Sequence, residues 1–274
     1  EQIGNEYILY FQKDDEAVIY PLMKQDAIVR SITFNASDIT GAIYDPSINP
    51  LIVLRSNLRS ISNLPEVFFW NVEDGDFLKS TMLKERSFEC VEQTICPIVD
   101  FRRISAKPDI WVKESTSRVQ NHRNLKRLIR DGAVLNLQHR ISSADELNNM
   151  MEIHDEMWEG RGIKGHFTDE RRKNFVSRLV KIGFPLISST LKFSGKIIAY
   201  NLYFTWRNRL YFWNSGFDQK FANRGPGSAL LLADLMSALA NPQIQIFDFL
   251  RGEEEYKFVY ANDSYYVKSW SESN

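Results

Sequence analysis

The stretch FANRGPGSALLLADLMSALA, Phe221–Ala240, joins a glycine–proline–glycine corner to a helix with few polar residues. Glycine adopts backbone angles that are closed to other residues, and proline fits a helix start because its missing N–H would have no partner there. The polar side chains of the helix are Ser228, Asp234 and Ser237. A helix that is apolar on nearly all sides is buried over most of its surface. The stretch therefore predicts a core helix that begins at a tight corner.

The first turn of this helix has two interpretations. The amides of Gly227, Ser228 and Ala229 would be free there, with the positive end of the helix dipole behind them. That arrangement suits a pyrophosphate, and Arg224, next to Gly225, would add a cation. Alternatively, the corner only turns the chain, and the corner taken alone favours this simpler interpretation.

The elements around the corner predict an α+β protein. The carboxyl-terminal part reads as a strand, two helices, three strands, the helix after the corner, a strand, a short helix and a last strand. The turns FSGK and RNR are short enough to make the three central strands antiparallel neighbours. The amino-terminal part reads as a shorter version of the same order without its opening helices. We therefore predict two related units.

Composition limits the function classes. The chain of 274 residues has a net charge of −1, so no overall field draws it toward nucleic acid or an anionic membrane. Cys90 and Cys96 lie on one predicted strand, about 20 Å apart, too far for a disulfide. No run approaches the roughly 20 apolar residues of a membrane span. The start lacks the pattern of a signal peptide, so we expect a cytoplasmic protein.

Four blocks of sequence then point to a family. They are CPIVDF (Cys96–Phe101), MWEGRGIKGHF (Met157–Phe167), YFWNSGFD (Tyr211–Asp218) and FDFLRGEEEYKFVYAN (Phe247–Asn262). In this order the blocks resemble the CelD-type, cellulose-biosynthesis-associated acyltransferases of the GNAT superfamily. That group is related in fold to the FemABX aminoacyl ligases, which are built from two tandem GNAT units.

The resemblance covers most of residues 97–260 and is most specific over residues 248–257. It implies two tandem GNAT-like units with mixed, mostly antiparallel sheets flanked by helices. Residues 1–112 would form a reduced unit and residues 113–274 the catalytic unit. One position departs from the superfamily pattern, in which Gln or Arg stands three residues before the first glycine of the phosphate loop. Here that residue is Ala222.

The resemblance also implies catalytic residues. Lys257 would stabilise developing negative charge, and Tyr256 would protonate the leaving thiolate. Asp248 interrupts the apolar strand IFDFL, and a buried carboxylate needs a partner. It would act either as a general base or as a structural group that binds Arg251 or caps the following helix.

The acceptor would lie between the two units, near Trp158 and Arg161. A Trp ring stacks on a sugar or a base, and an Arg guanidinium binds a carboxylate or phosphate in a forked geometry. His166 belongs to the same loop, which as a plain surface loop with an aromatic anchor is the alternative. The histidines at 122, 139 and 154 lack metal-ligand spacing, so we interpret them as packing or surface residues and expect no metal.

These observations predict acyl transfer from acyl-CoA, acetyl-CoA first, to an amine or hydroxyl of a sugar, nucleotide sugar or cell-envelope precursor. Arg224, Gly225, Gly227, Ser228 and Ala229 would hold the donor. One alternative is an aminoacyl-tRNA-dependent ligase, because the helix around residues 118–130 carries Arg and Lys at helical spacing. The other alternative is a GNAT-like scaffold without activity. The acceptor, the acyl group and the oligomeric state stay open.

Overall fold

The computed structural model describes residues 5–25, 28–31, 43–44, 47–62, 67–73, 77–141, 143–184 and 186–272. The chain forms two compact units. Unit 1 comprises residues 1–97, 250–253 and 264–274, and unit 2 comprises residues 98–249 and 254–263. The predicted domains, 1–112 and 113–274, divide the chain elsewhere, because its last strand pairs within unit 1. The GNAT-like character of each predicted domain by itself stays a prediction.

The secondary structure consists of strands and helices that follow the predicted order closely. The strands are β1 (Asn5–Lys13), β2 (Glu16–Gln25), β3 (Ile28–Ser31), β4 (Ile43–Tyr44), β5 (Val67–Glu73), β6 (Phe88–Asp100), β7 (Val134–Arg140), β8 (Leu186–Phe193), β9 (Lys196–Trp206), β10 (Arg209–Phe217), β11 (Ile246–Asp248) and β12 (Asp263–Glu272). The helices are α1 (Pro50–Ser56), α2 (Leu58–Ser62), α3 (Phe77–Glu85), α4 (Pro108–Lys113), α5 (Thr116–Arg130), α6 (Ala144–Glu159), α7 (Glu170–Lys181), α8 (Pro226–Ala240) and α9 (Glu255–Phe258).

Unit 1 is built on a mixed sheet. Strands β1 and β2 form a hairpin, β2 pairs antiparallel with β3, and β3 pairs parallel with β5. Strand β5 pairs antiparallel with β12 on its other side. Val53, Leu54, Ile61 and Met82 from the helices pack on Phe69 and Val72 of β5. The segment AIVRSITF has a strand-like composition and contains β3, and its residues 27 and 32–34 lie outside the described residues.

Unit 2 is also built on mixed strand pairing, with helices on both faces of its strands. Strands β7, β8, β9 and β10 form an antiparallel meander, β10 pairs parallel with β11, and β11 pairs antiparallel with residues 98–100 of β6. Side chains alternate along β9, as the period of a strand requires. Tyr200 and Leu202 pack in a cluster with α6 and α7, whereas Ala199 packs with α5 and α8. The α+β prediction is confirmed.

The two units share an order of pairing. In both, an antiparallel strand pairs parallel with the strand that follows the next helix or helices: β3 with β5 after α1 and α2, and β10 with β11 after α8. A helix and another strand then follow in both: α3 and β6, whose residues 98–100 pair with β11, and α9 and β12, which pairs with β5. Each unit is thus completed by a strand from the other half of the chain.

Helix α8 is buried along most of its length, as its composition predicts. Nine of its 15 residues are buried, among them Leu232 and Leu235 in one core cluster and Leu230 in another. The helix packs against β7 through β10 on one side and against α4 and α5 on the other. Its first residue is Pro226, so the corner of the sequence lies at the amino-terminal end of a rigid, buried element.

Candidate active site

The corner before α8 leaves two backbone amides available. Gly225 adopts the left-handed conformation with φ +59°, and its carbonyl oxygen accepts the Ala229 N–H over 3.1 Å. The Ala229 amide is therefore used by the helix, and its predicted role in binding an anion is corrected, because this is the first regular helical hydrogen bond. Within the described residues, the N–H groups of Gly227 and Ser228 have no hydrogen-bond acceptor, and Ser228 is exposed. These two amides stay candidates for an anion site.

Both glycines of the corner occupy tight positions. A Cβ atom at Gly225 would lie 2.9 Å from Nδ2 of Asn124 in α5, in addition to the strain of its positive φ. A Cβ at Gly227 would lie 3.2 Å from Cδ1 of the Phe217 ring at the end of β10. The corner is therefore fixed between α5 and β10, with Ser228 as its exposed member.

Arg224 does not extend freely from the corner. Its guanidinium donates to the carboxylate of Asp131, the residue that follows α5. This ion pair connects the corner to the end of α5 and competes with any bound diphosphate for the same cation. The participation of Arg224 in donor binding stays a prediction.

Strands β10 and β11 separate next to the corner. They pair in parallel only from Arg209 to Tyr211, opposite Ile246 to Asp248. Beyond Tyr211, β10 continues to Phe217 with a bulge between Phe212 and Asn214, while β11 ends. The chain after β11 turns away through Leu250, whose φ is +57°. Past Tyr211 the two strands are therefore no longer paired, and the corner lies at the far end of β10, where Gly227 is close to Phe217.

Asp248 is fully buried at the last paired position of β11 and has a cationic partner that the sequence did not reveal. Nη1 of Arg209, on the adjacent strand β10, donates to its Oδ2 over 2.9 Å. The ion pair gives the buried carboxylate the partner that it requires. The N-cap residue of α9, Glu254, makes no side-chain cap hydrogen bond. The predicted roles of Asp248, as a general base, as a partner of Arg251 or as a cap, stay predictions.

Lys257 and Tyr256 lie on α9, close to the carboxyl end of β11. Lys257 is only 3% exposed, and its Nζ lies 2.8 Å from Oε2 of Glu254. Lys257 is therefore not a solvated surface lysine. Tyr256 packs its ring edge-on against Phe249, and burial together with the Glu254 carboxylate raises the pKa of its hydroxyl. The phenol consequently keeps its proton at neutral pH, as a proton donor must.

A second cluster surrounds Trp158 at the end of α6. The Arg161 guanidinium lies over the Trp158 ring at 5.1 Å, so the structure brings together the two residues predicted to bind the acceptor. His166 approaches the same ring edge-on at 6.4 Å. The Trp158 indole N–H donates to Nε2 of His154 over 2.9 Å. His154, interpreted above as a packing or surface residue, is buried in this cluster.

Another polar cluster lies within unit 2 beneath α8. Asp234 is fully buried and accepts hydrogen bonds from the side chains of Ser189, Asn201 and Tyr203. Burial raises the pKa of the Asp234 carboxyl to about 6. The single aspartate in an apolar helix was visible in the sequence, but its three donors come from β8 and β9 and could be assigned only in three dimensions.

Helix α5 does not present one uniform positive face. Arg118 lies over the Trp111 ring at 4.3 Å, and burial lowers the pKa of its guanidinium. Arg123, Lys126 and Arg130 are exposed, whereas Arg127 is half-buried. The expectation of a single basic face is corrected, because packing against α4 and α8 removes part of its charge from the surface.

A cleft of about 550 Å³ lies at the opposite end of α8 from the corner. It is lined by residues of 101–108 and 239–245, including Arg102 and Lys107. Among the described helices, none is long and apolar enough to cross a membrane. In the same part of the chain, no group of three or more His, Cys, Asp or Glu side chains is placed to hold a metal ion.

Comparison with known proteins agrees with this architecture. A family model described as "Acetyltransferase (GNAT) domain" matches residues 117–258, more than half of the chain. No curated protein matches the sequence. The match includes the corner, the diverging strands, the Trp158 cluster and Lys257.

Several solved structures share the fold. The C-terminal domain of a putative lysylphosphatidylglycerol synthetase from Agrobacterium fabrum is 11% identical, with a TM-score of 0.65 over 99% of this chain and 85% of that one. L-PGS from Bacillus licheniformis is 14% identical, with a TM-score of 0.64 over 97% and 83%. FemX is 9% identical, with a TM-score of 0.64 over 97% and 88%. At these identities the similarity shows the fold alone.

The family match and the fold agree on an enzyme of the acyltransferase type, and the chain belongs to the GNAT acetyltransferase-domain family.

Proposed function

We propose that the protein transfers an acyl group, acetyl in the simplest case, from acyl-CoA to an amine or hydroxyl of a sugar, nucleotide sugar or cell-envelope precursor. The observation that carries the donor assignment is the position of the Gly227 and Ser228 amides. They stand at the start of a 15-residue buried helix, where β10 and β11 separate. A helix start with free amides favours a diphosphate. The CelD-like resemblance supports the acceptor class.

The remaining residues would serve the transfer as follows. The nucleophile forms a bond to the acyl carbon, the carbon–sulfur bond breaks, and the nucleophile releases its proton to solvent. Tyr256 would give its proton to the leaving thiolate and recover one from water. Lys257, buried on α9, would stabilise the negative charge that develops on the carbonyl oxygen. Asp248 would hold Arg209 across the strand junction through their ion pair.

Acceptor binding is assigned to Trp158 and Arg161. The ring of Trp158 offers a stacking surface for a sugar or a base, and Arg161 already lies over that ring. A guanidinium in this position would move to bind a phosphate or carboxylate of the acceptor, leaving the ring face to the sugar. We therefore favour an acceptor that carries both a planar or cyclic apolar face and an anionic group.

An aminoacyl-tRNA-dependent ligase on the same fold is the second candidate. The observation in its favour is that the corner offers few side-chain donors for the diphosphate of acyl-CoA. Ala222 has no hydrogen-bond donor in its side chain, and the guanidinium of Arg224 is paired with Asp131. Structures named FemX and lysylphosphatidylglycerol synthetase share this fold. The divided charge of α5 argues against a long nucleic-acid contact, so we rank this candidate second.

Calorimetry with CoA and acetyl-CoA tests the donor assignment. The variant Ser228→Asp places a negative charge at the third residue of α8, where it stabilises the helix but repels a diphosphate. The matched control is Ser117→Asp, which adds the same charge to the exposed first turn of α5, also 15 residues long. We expect binding by the wild type and the control, and at least a tenfold loss with Ser228→Asp. No heat with any of the three proteins would move the assignment to aminoacyl-tRNA.

A further inference from the structure

The Trp158 cluster contains a hydrogen-bonded chain that the roles assigned so far do not use. It begins at the indole N–H of Trp158, which donates to Nε2 of His154 over 2.9 Å. The other ring nitrogen, Nδ1, lies 3.3 Å from Oδ1 of Asp155. The same carboxylate oxygen accepts the backbone N–H of Phe167 over 2.9 Å. The chain thus connects three residues of α6 to Phe167, near the end of the loop formed by residues 160–169.

The protonation state of His154 follows from these contacts. Because the indole can only donate, Nε2 must be the acceptor, so the proton of the neutral ring is on Nδ1 and points to Asp155. His154 is 2% exposed, and burial lowers the pKa of its imidazole to about 4. The ring is therefore neutral under ordinary conditions and keeps both hydrogen bonds.

The loop is also held by close packing. A Cβ atom at Gly165 would lie 2.2 Å from Oδ1 and 2.6 Å from Cα of Asp155, so only glycine allows the loop backbone to reach this carboxylate. Phe167 is buried and packs edge-on against the His154 ring at 4.9 Å. Arg161, in contrast, is exposed and reaches back over Trp158.

We infer that His154 and Asp155 are positioning residues: they fix the Trp158 indole and hold the loop 160–169 in place, so that Trp158 and Arg161 face the acceptor in one arrangement. The effect on acceptor binding rests on the proposed function, whereas the effect on the loop does not. His154 itself contacts neither the acyl donor nor the acceptor. It affects acceptor binding only because it fixes the orientation of the Trp158 indole.

Three variants separate this role from general destabilisation. His154→Phe keeps an aromatic ring in the core but removes the acceptor for the indole N–H, and His154→Gln restores an acceptor. Gly165→Ala displaces the loop from Asp155 without altering His154. The matched control is His122→Phe, the same substitution at a half-buried histidine of α5.

Trypsin cleavage after Arg161 and Lys164, under native conditions, reports on the loop. We expect His154→Phe and Gly165→Ala to be cleaved there at least tenfold faster than the wild type, with the His154→Gln rate close to wild type and His122→Phe unchanged. Hydrogen exchange of the Trp158 indole N–H, assigned by nuclear magnetic resonance with Trp158→Phe, should accelerate in His154→Phe. Unchanged cleavage and exchange in His154→Phe, or equal acceleration in His122→Phe, would overturn the inference.

Kinetics with an acceptor found by screening completes the test. His154→Phe should raise the KM for the acceptor about tenfold, leave the KM for the acyl donor unchanged, and reduce kcat less than twofold. A fall in kcat alone would contradict a positioning role. If no thioester is consumed with any acceptor, the proposed function fails, but the cleavage and exchange results still decide the role of His154 in the loop.

Discussion

Arg209 and Asp248 form a 2.9 Å ion pair across the junction of two parallel strands, at the place where those strands begin to separate. The carboxylate is fully buried, and the arginine side chain is 22% exposed. Both residues have further interactions as well. The ion pair thus lies at the end of the paired stretch, because Asp248 is the last residue of β11 that pairs with β10.

We predict that Arg209→Met destabilises the protein by about 3–5 kcal/mol, because it removes the cation from a buried carboxylate. Asp248→Asn in the same background should recover part of that loss, since a neutral amide is cheaper to bury than a charge. The free energy of unfolding in urea measures both effects. Additive single and double variants would show that the two residues do not interact, contrary to this prediction.

Lys257→Met should reduce turnover at least a hundredfold, because oxyanion stabilisation of this kind contributes about 10²–10³ in kcat. Its melting temperature should stay close to that of the wild type, since the methionine fills the same buried space without a charge. Lys113→Met, at an exposed lysine on α4, is the control. Full turnover by Lys257→Met on an identified acceptor would remove Lys257 from the mechanism.

The stability of the protein should depend on pH through Asp234. Its folded pKa of about 6 is above its ordinary value of 3.8. The folded state therefore binds a proton more tightly than the unfolded state, and stability falls as pH rises from about 4 through about 6. Asp234→Asn has no such group, so its stability relative to wild type should increase over that interval by about 2–3 kcal/mol.

Urea unfolding of both proteins at pH 4, 5, 6 and 7 measures this difference. Glu92→Gln, an exposed carboxylate on β6, should follow the wild type at every pH. Parallel curves for wild type and Asp234→Asn would mean that the carboxylate does not change its proton affinity on folding.

Division of the chain at residue 112 should not give two folded pieces. Residues 1–112 lack β12, which pairs with β5, and residues 113–274 lack the part of β6 that pairs with β11. Each piece would expose the edge of a central strand, which favours aggregation. We expect both fragments to be insoluble or unfolded by circular dichroism when made separately. A fragment 1–112 with cooperative thermal unfolding would contradict the observed pairing.

Much of the fold can be predicted because its signals are local. The corner at Gly225 and the apolar composition of α8 identify a buried helix with a free first turn. Successive side chains of β9 point to opposite faces of the sheet, so the sequence already predicts that Tyr200 and Asn201 lie on different faces. The serine cap of α6 is likewise visible, and Ser143 accepts the amides of Asp145 and Glu146 as expected.

Other features depend on contacts between distant residues and leave little local trace. Arg209 and Asp248 are 39 positions apart, and only the parallel pairing of β10 with β11 makes them neighbours. The pairing of β12 with β5 could not be predicted, because strands in both halves of the chain have the residue pattern of a possible partner for β12. His154 is the exception: its spacing of four residues from Trp158 on a helix is a signal that could have been used.

The connection of β12 to β5 has a consequence for synthesis of the protein. The ribosome makes β5 before the described strands of unit 2, but β12, which covers the edge of β5, follows those strands in the sequence. During translation unit 1 therefore carries an open sheet edge for as long as unit 2 is being made. Nascent chains of this enzyme should consequently bind chaperones through that edge until β12 has left the ribosome.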